Sequence, residues 1–223
     1  MVTNKRKTLN RKYKLEDHEI TEVMNHPYLG LELSNTLKWD LHIRNIVSKA
    51  NRSLGFVKRN LGKCPERIKK QAYLALVRPH LEYASTVWSP HTTKQKALIE
   101  RVQRKSLRFI KKCYINEPGT VTSLGKTLEI NSLESRREKA RVCMLYEIIN
   151  GQIDMKIPEY IQPLKNNRTR QYNNNKFYPP HNSTDAYKNS FFPATIGLWN
   201  KLPINIIGSE TIKQFKEELD LIM

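Results

Sequence analysis

Apolar residues recur along this chain in two rhythms, and the change from one to the other divides it. From Lys12 to Val23 polar and apolar positions alternate about an acidic turn, Glu16-Asp17-His18, which predicts a hairpin of two short strands. Pro27 restricts the residue before it to extended backbone and leads into a single extended run over 28–33, so strand-like segments fill 6–33. From Asp40 onward the spacing becomes three and four. Ile43, Ile46, Val47, Ala50, Leu54, Val57 and Leu61 form one stripe, predicting a helix of about 20 residues with Asp40 as N-cap and Gly62 as stop. Pro65 opens a second helix that runs through Ile68, Ala72, Ala75 and Leu76 to Val77 and ends near Arg78-Pro79. The stretch from His80 to Pro90, with Tyr83 and Trp88, is apolar enough to be buried. A third helix runs from Lys94 to Cys113 with Leu98, Ile99, Val102, Ser106, Phe109 and Ile110 facing inward, and Pro118-Gly119 makes a turn.

After that turn the composition shifts. A fourth helix occupies Ser132 to Asn150, apolar at Leu133, Ala140, Cys143, Met144 and Ile148 and closed by Gly151. Residues 152–189 are rich in Asn and Pro and have no periodicity, which predicts a long loop. An aromatic knot spans Ser190 to Pro203, and Ser209 is the expected cap of a last short helix through Ile212, Phe215 and Leu219. The fold expected is therefore mostly α, with short N-terminal strands, a helical bundle and a helical C-terminal domain. The divisions expected are 1–38, 39–115 and 116–223, the last containing the loop 152–189.

Charge changes the picture. The chain has 223 residues, 39 Lys and Arg against 21 Asp and Glu, and a formal net charge of +18. Residues 1–115 hold 25 basic and 9 acidic residues, a net of +16, whereas 116–223 hold 14 and 12, a net of +2. So much self-repulsion in one half points to a polyanion partner beside a neutral packing module. No run of about 18 apolar residues is present and the N-terminus lacks an apolar leader segment, so the expectation is an intracellular protein, nuclear or cytoplasmic, with no membrane partner. Cys64, Cys113 and Cys143 form no CxxC pair and the six His are scattered, which predicts reduced thiols and no metal site. The five Asp (17, 40, 154, 185, 220) include no adjacent pair for two-metal catalysis, and no phosphate loop, zinc helix or nucleophile elbow occurs. The expectation is that this chain is not an enzyme on its own.

The basic helices carry the informative chemistry. With the apolar stripe of the first helix turned inward, Lys49, Arg52, Arg59 and Lys63 fall on the opposite face, with Phe56 among them. An outward Phe between cations suits stacking on a base; the alternative is packing on a neighbouring helix. On the third helix Lys94, Arg101, Lys105, Arg108 and Lys112 line one flank, with Arg104 and Lys111 behind. Glu100 is the only acid between Lys94 and Lys112, so this charge lacks intrahelical partners and phosphates would supply them. The expected nucleic-acid contacts are Lys49, Arg52, Phe56, Arg59, Lys63, Lys94, Arg101, Arg104, Lys105, Arg108 and Lys112.

The same residues resemble a family. Tyr13-x-Leu15, Tyr28-Leu29-Gly30, Trp39-Asp40-x-His42-Ile43, Lys49-Ala50-Asn51-Arg52-x-Leu54-Gly55-Phe56 and Arg59-Asn60-Leu61 come first. Leu76-Val77-Arg78-Pro79-x-Leu81-Glu82-Tyr83-Ala84, Val87-Trp88 and Val102-Gln103-Arg104-x-x-x-Arg108-Phe109 follow. Late marks are Glu134-x-Arg136-Arg137, Tyr146-x-Ile148-x-Asn150-Gly151 and Phe191-Phe192-Pro193-x-Thr195-Ile196-x-x-Trp199-Asn200-x-Leu202-Pro203. In this order they resemble the C-terminal part of reverse transcriptases of jockey-like non-LTR (LINE-type) retrotransposons. Asp17-His18 replaces the family's usual hairpin Gly, and Ala194 stands where a basic residue is common. The resemblance implies palm-edge strands, a helical thumb over 40–113 that closes on template and primer, and a C-terminal domain after about 120. It also implies a missing palm and fingers, whose aromatic-x-Asp-Asp strand holds the catalytic Mg; this chain would bind none. The expectation is a non-catalytic fragment of a transposable element's RNA-directed DNA polymerase, with RNA and DNA backbones as partners. The alternatives are a domesticated helical adaptor that binds proteins and a relic without a selected role.

Overall fold

The computed structural model describes residues 12–164, 176–181 and 184–222. Helices make up most of it, preceded by two antiparallel ribbons, as the apolar rhythms predict. In the first ribbon β1 (Tyr13–Leu15) pairs with β2 (His18–Ile20), Tyr13 opposite Ile20, and every residue of both strands is exposed. The expected extended run over 28–33 is instead a second ribbon. β3 (Asn25–Tyr28) turns back into β4 (Leu31–Ser34) through Leu29 and Gly30, whose φ angles of 46° and 81° give the turn that suits strand twist. Tyr83 closes over that turn. A Cβ at Gly30 would stand 3.2 Å from its ring, and its hydroxyl donates to the Leu29 carbonyl at 3.2 Å.

Helix α1 (Asp40–Leu61) buries Ile43, Ile46, Ala50, Leu54 and Val57, the expected stripe. Asp40 is not its cap, because Trp39 precedes the first turn and the Asp40 carboxylate accepts from Gln95 Nε2 at 2.9 Å. Gly62 keeps a right-handed φ of −58° rather than reversing the chain. The second helix does not end at Arg78-Pro79. α2 (Glu66–Ala72) widens into a π-helical turn over Tyr73–Val77, closed by Arg78 N–H on the Tyr73 carbonyl, and α3 (Arg78–Glu82) continues through Pro79. The wide turn relieves the clash a proline makes with the carbonyl four residues back. After α3 only part of the expected burial occurs. Trp88 is fully enclosed and donates to the Tyr83 carbonyl at 2.8 Å, whereas Tyr83 and Val87 stay exposed.

Helix α4 (Thr93–Lys111) is capped by Thr92, which accepts from Gln95 N–H, and ends on Lys112 at φ 51°. Ile99, Val102, Ser106, Phe109 and Ile110 face inward as expected, while Leu98 is half-buried. A short helix that the apolar pattern does not announce, α5 (Thr120–Thr127), starts from the Pro118-Gly119 turn and packs on α4. α6 (Leu133–Ile149) is capped by Ser132 and additionally by Glu100 of α4, which accepts Glu134 N–H at 2.9 Å. Ala140 and Met144 are only half-buried, and Arg137 and Arg141 are buried instead. The described parts of the loop meet at one bridge between Pro163 and Phe177, followed by α7 (Asp185–Lys188). The aromatic knot is itself helical, α8 (Phe191–Trp199), with Pro193 in its first turn. Two further helices follow, α9 (Ile204–Ile207) and α10 (Ile212–Ile222). Thr211 rather than Ser209 supports α10, accepting Gln214 N–H at 3.2 Å; the Ser209 hydroxyl is turned into the Ile206 carbonyl.

Two cores result. The first runs from Leu31 through α1, α3 and α4 to Leu128, Ile130 and Leu133. The second joins Val142, Tyr146, Trp199, Phe215 and Leu219. The divisions at 38/39 and 115/116 fall inside the first core, and α6 contributes to both.

Candidate nucleic-acid interface

Helices α1 and α4 lie side by side and run in the same sense. Asp40 meets Gln95 near their N-terminal ends, and farther along Lys58 Nζ stands 5.9 Å from the centre of the Phe109 ring. Their apolar stripes face each other and α3, so the polar faces of both are left to solvent. Lys49, Arg52, Arg59 and Lys63 are exposed, as are Lys94, Arg101, Arg104, Lys105 and Lys112. Phe56 is 54% exposed and belongs to neither core, so the alternative that it packs on a neighbouring helix does not hold in the folded chain. The set forms an extended face, since Lys94 and Lys112 alone stand roughly 27 Å apart at helical rise, and Arg101, Arg104, Lys105 and Arg108 of it also line a groove beside α5. Lys49 sits at one margin, close enough to His42 to oppose protonation of its ring.

Three members are less free. Arg108 is half-buried, donates from Nη2 to Asn116 Oδ1 at 3.1 Å and leaves Nε buried without a partner among the described residues. Arg104 donates weakly to the Ala97 carbonyl at 3.4 Å, and Arg59 folds back so that Nη1 would meet a Cβ at Gly55 at 3.4 Å.

Unpaired cations also stand elsewhere among the described residues, as at Arg67, Lys126, Lys188 and Lys213, but on this face they are concentrated. Among the described residues the paired cations are Lys12, Lys70, Arg78, Lys96, Lys111, Arg136, Lys139 and Lys216. None of the ten expected cations is among them. Even on α4 the division is sharp, for Lys96 reaches Glu134 and Lys111 reaches Glu66 at 2.9 Å, while the cations on the predicted flank have no carboxylate partner among the described residues. Lys111, placed behind that flank, thus serves to tie α4 to α2.

Sequence reasoning missed Lys58. It lies on the flank of α1 that touches α4, where burial first and the nearby Lys105 charge second lower its pKa. Lys58 and Lys105 therefore bring the two basic helices into one field, an arrangement visible only once the helices are packed. Lys69 also escaped notice; it is buried on α2 with Nζ 5.1 Å from the centre of the Phe109 ring.

Three cations of the second half, Arg137 and Arg141 buried and Arg136 half-buried, are structural. Arg141 donates to Thr195 Oγ1 at 3.2 Å and to the Ser190 carbonyl at 2.9 Å, and burial pulls its pKa down to about 10. Arg136 binds Glu82 in a bidentate pair that raises its pKa, and Arg137 is enclosed with burial lowering its own.

The chain matches no family model, no curated protein and no solved structure.

Proposed function

We propose that this chain is a nucleic-acid-binding fragment of the reverse-transcriptase type its motifs resemble, a helical thumb-like unit with a C-terminal domain, without polymerase activity of its own. The observation that carries the reading is the concentration of cations on and just past α1 and α4, ten of which have no carboxylate partner among the described residues. Ten such charges, eight on two rigid helices and Lys63 and Lys112 just past their ends, repel one another until an anion lattice neutralises them. Phosphates spaced along a backbone do this and release condensed counterions in the process. Contacts of that kind set position and not sequence preference, so hybrid and duplex of any sequence are suitable ligands.

The test is a titration of the full chain with a blunt RNA–DNA hybrid at several salt concentrations. Affinity should fall steeply with salt, and each of Arg52→Gln, Arg59→Gln, Arg101→Gln and Lys105→Gln should lower the slope by about one. Lys188→Gln and Lys213→Gln, exposed in the second half, should leave it unchanged. Binding that ignores salt, or equal effects from both halves, would end the proposal. Primer extension by the same preparation should stay at the level of buffer, since the sequence holds no adjacent Asp pair for in-line phosphoryl transfer.

A further inference from the structure

An open groove of about 1430 Å³ runs between α4, the connection after it, α5 and the start of α6. Arg101, Arg104 and Arg108 line it from α4 and Lys126 lines it from α5, while Leu107 and Ile130 give it apolar wall. A Cβ at Gly125 would stand 3.2 Å from the Ile130 carbonyl, so α5 approaches its own exit segment closely and the floor is tight. Most carboxylates at the groove are already engaged. Glu100 accepts Glu134 N–H, Glu134 pairs with Lys96, and Glu129 faces Lys70 at 3.8 Å, which leaves Glu117. The four cations have no carboxylate partner among the described residues. The lining is therefore cationic in effect, and it is continuous with the outer face through Arg101, Arg104, Lys105 and Arg108, which belong to both.

The volume decides the occupant. It exceeds the roughly 300–1,000 Å³ of a drug-sized pocket, and because its walls include α4 and α5, helices packed at roughly 8–10 Å between axes, the gap is too narrow for a duplex, whose major groove alone is about 12 Å wide. An extended strand of a few nucleotides fits. We propose that the groove takes a single-stranded segment continuing from a duplex held on the outer face of α1 and α4, an inference that rests on the reading above. Backbone phosphates would lie along the α4 arginines with Lys126 opposite, so recognition is of the strand and not of its sequence.

The test compares the full chain on a blunt RNA–DNA hybrid with the same hybrid carrying a five-nucleotide single-stranded extension, in both polarities. The extension should tighten binding about tenfold in one polarity. Lys126→Glu, which removes the cation opposite α4, and Thr122→Trp, which fills the groove from α5, should cut that gain below about twofold while blunt-hybrid affinity stays constant. A gain that survives both variants overturns the inference, as does blunt binding with no gain from either extension. A polyglutamate tail that reproduces the gain would also overturn it, in favour of a generic anion site. Failure of the blunt hybrid to bind at all defeats the underlying reading as well.

Discussion

Phe56 faces solvent among Arg52, Arg59 and Lys63, where an aromatic ring costs solubility and adds nothing to either core. Phe56→Ala should therefore leave the helix content intact and weaken nucleic-acid binding by ~1–3 kcal/mol, the range found for base stacking. Circular dichroism beside the titration checks both halves of that statement, and loss of the fold would end the stacking role. His42 is the opposite case, a titratable ring enclosed between Trp39 and Trp88 at 5.9 and 5.0 Å. Its Nδ1 accepts Glu32 N–H at 3.4 Å and its Nε2 is buried without a partner among the described residues. Burial lowers its pKa below 6.5, with Glu32 opposing and Lys49 assisting. The folded state thus binds fewer protons than the unfolded one in that window, so stability is full above 6.5 and is lost as pH falls through the lowered value. Urea midpoints measured from pH 7.5 downward should decline, and His42→Asn should flatten the decline; a profile unchanged by the substitution would exclude His42 as its source.

At the level of elements, legibility followed the physics of each signal. α1 and α4 could be read because their apolar residues hold a 3.6-residue period over five turns or more, which no strand can reproduce. α5 could not, since Thr120-Val121-Thr122-Ser123 has poor helix propensity and its formation depends on packing against α4. α6 was found but misjudged in its faces. It is flanked by α4 on one side and α8 and α10 on the other, so even Arg137 and Arg141 are enclosed, and charge ceased to mark the solvent side. The cationic face was legible for the same reason as the stripe, because one defines the other by rotation; Lys58 was not, because its position depends on a second helix. The ribbons differ from the helices in what anchors them. β1 and β2 contribute no buried residue, whereas β4 inserts Leu31 into the first core. Hydrogen exchange should accordingly be fast over 13–20, intermediate over 25–34 and slowest in α1 and α4. Slower exchange in the first ribbon than in α1 would contradict the placement of the core.

For the molecule as a whole, the concentration of unpaired charge sets how it responds to its solvent. A protein held mainly by surface ion pairs loses stability as salt screens them. Here screening relieves repulsion across α1 and α4, so the unbound chain should melt at a higher temperature in 0.5 M than in 0.05 M salt, while its affinity for nucleic acid moves the other way. Differential scanning fluorimetry across that range would refute this if the midpoint fell. Stability and binding are thus opposed in their salt dependence, because one set of charges governs both.

The π-helical turn over Tyr73–Val77 has a consequence of another kind, which concerns counting. That turn holds one residue more than an α-helical turn would, and everything after it is phased to the surplus: Pro79 escapes the carbonyl behind it, and Leu81 and Trp88 reach the core. Shortening the chain by Ala75, an exposed and chemically dispensable residue, would restore regular helix and at the same time rotate the following segment by about 100°. Leu81 would swing away from α1 and the proline ring would meet a carbonyl. A substitution at this position is a change of side chain, but a deletion is a frameshift in three dimensions, and the length of the segment is therefore under tighter constraint than its composition.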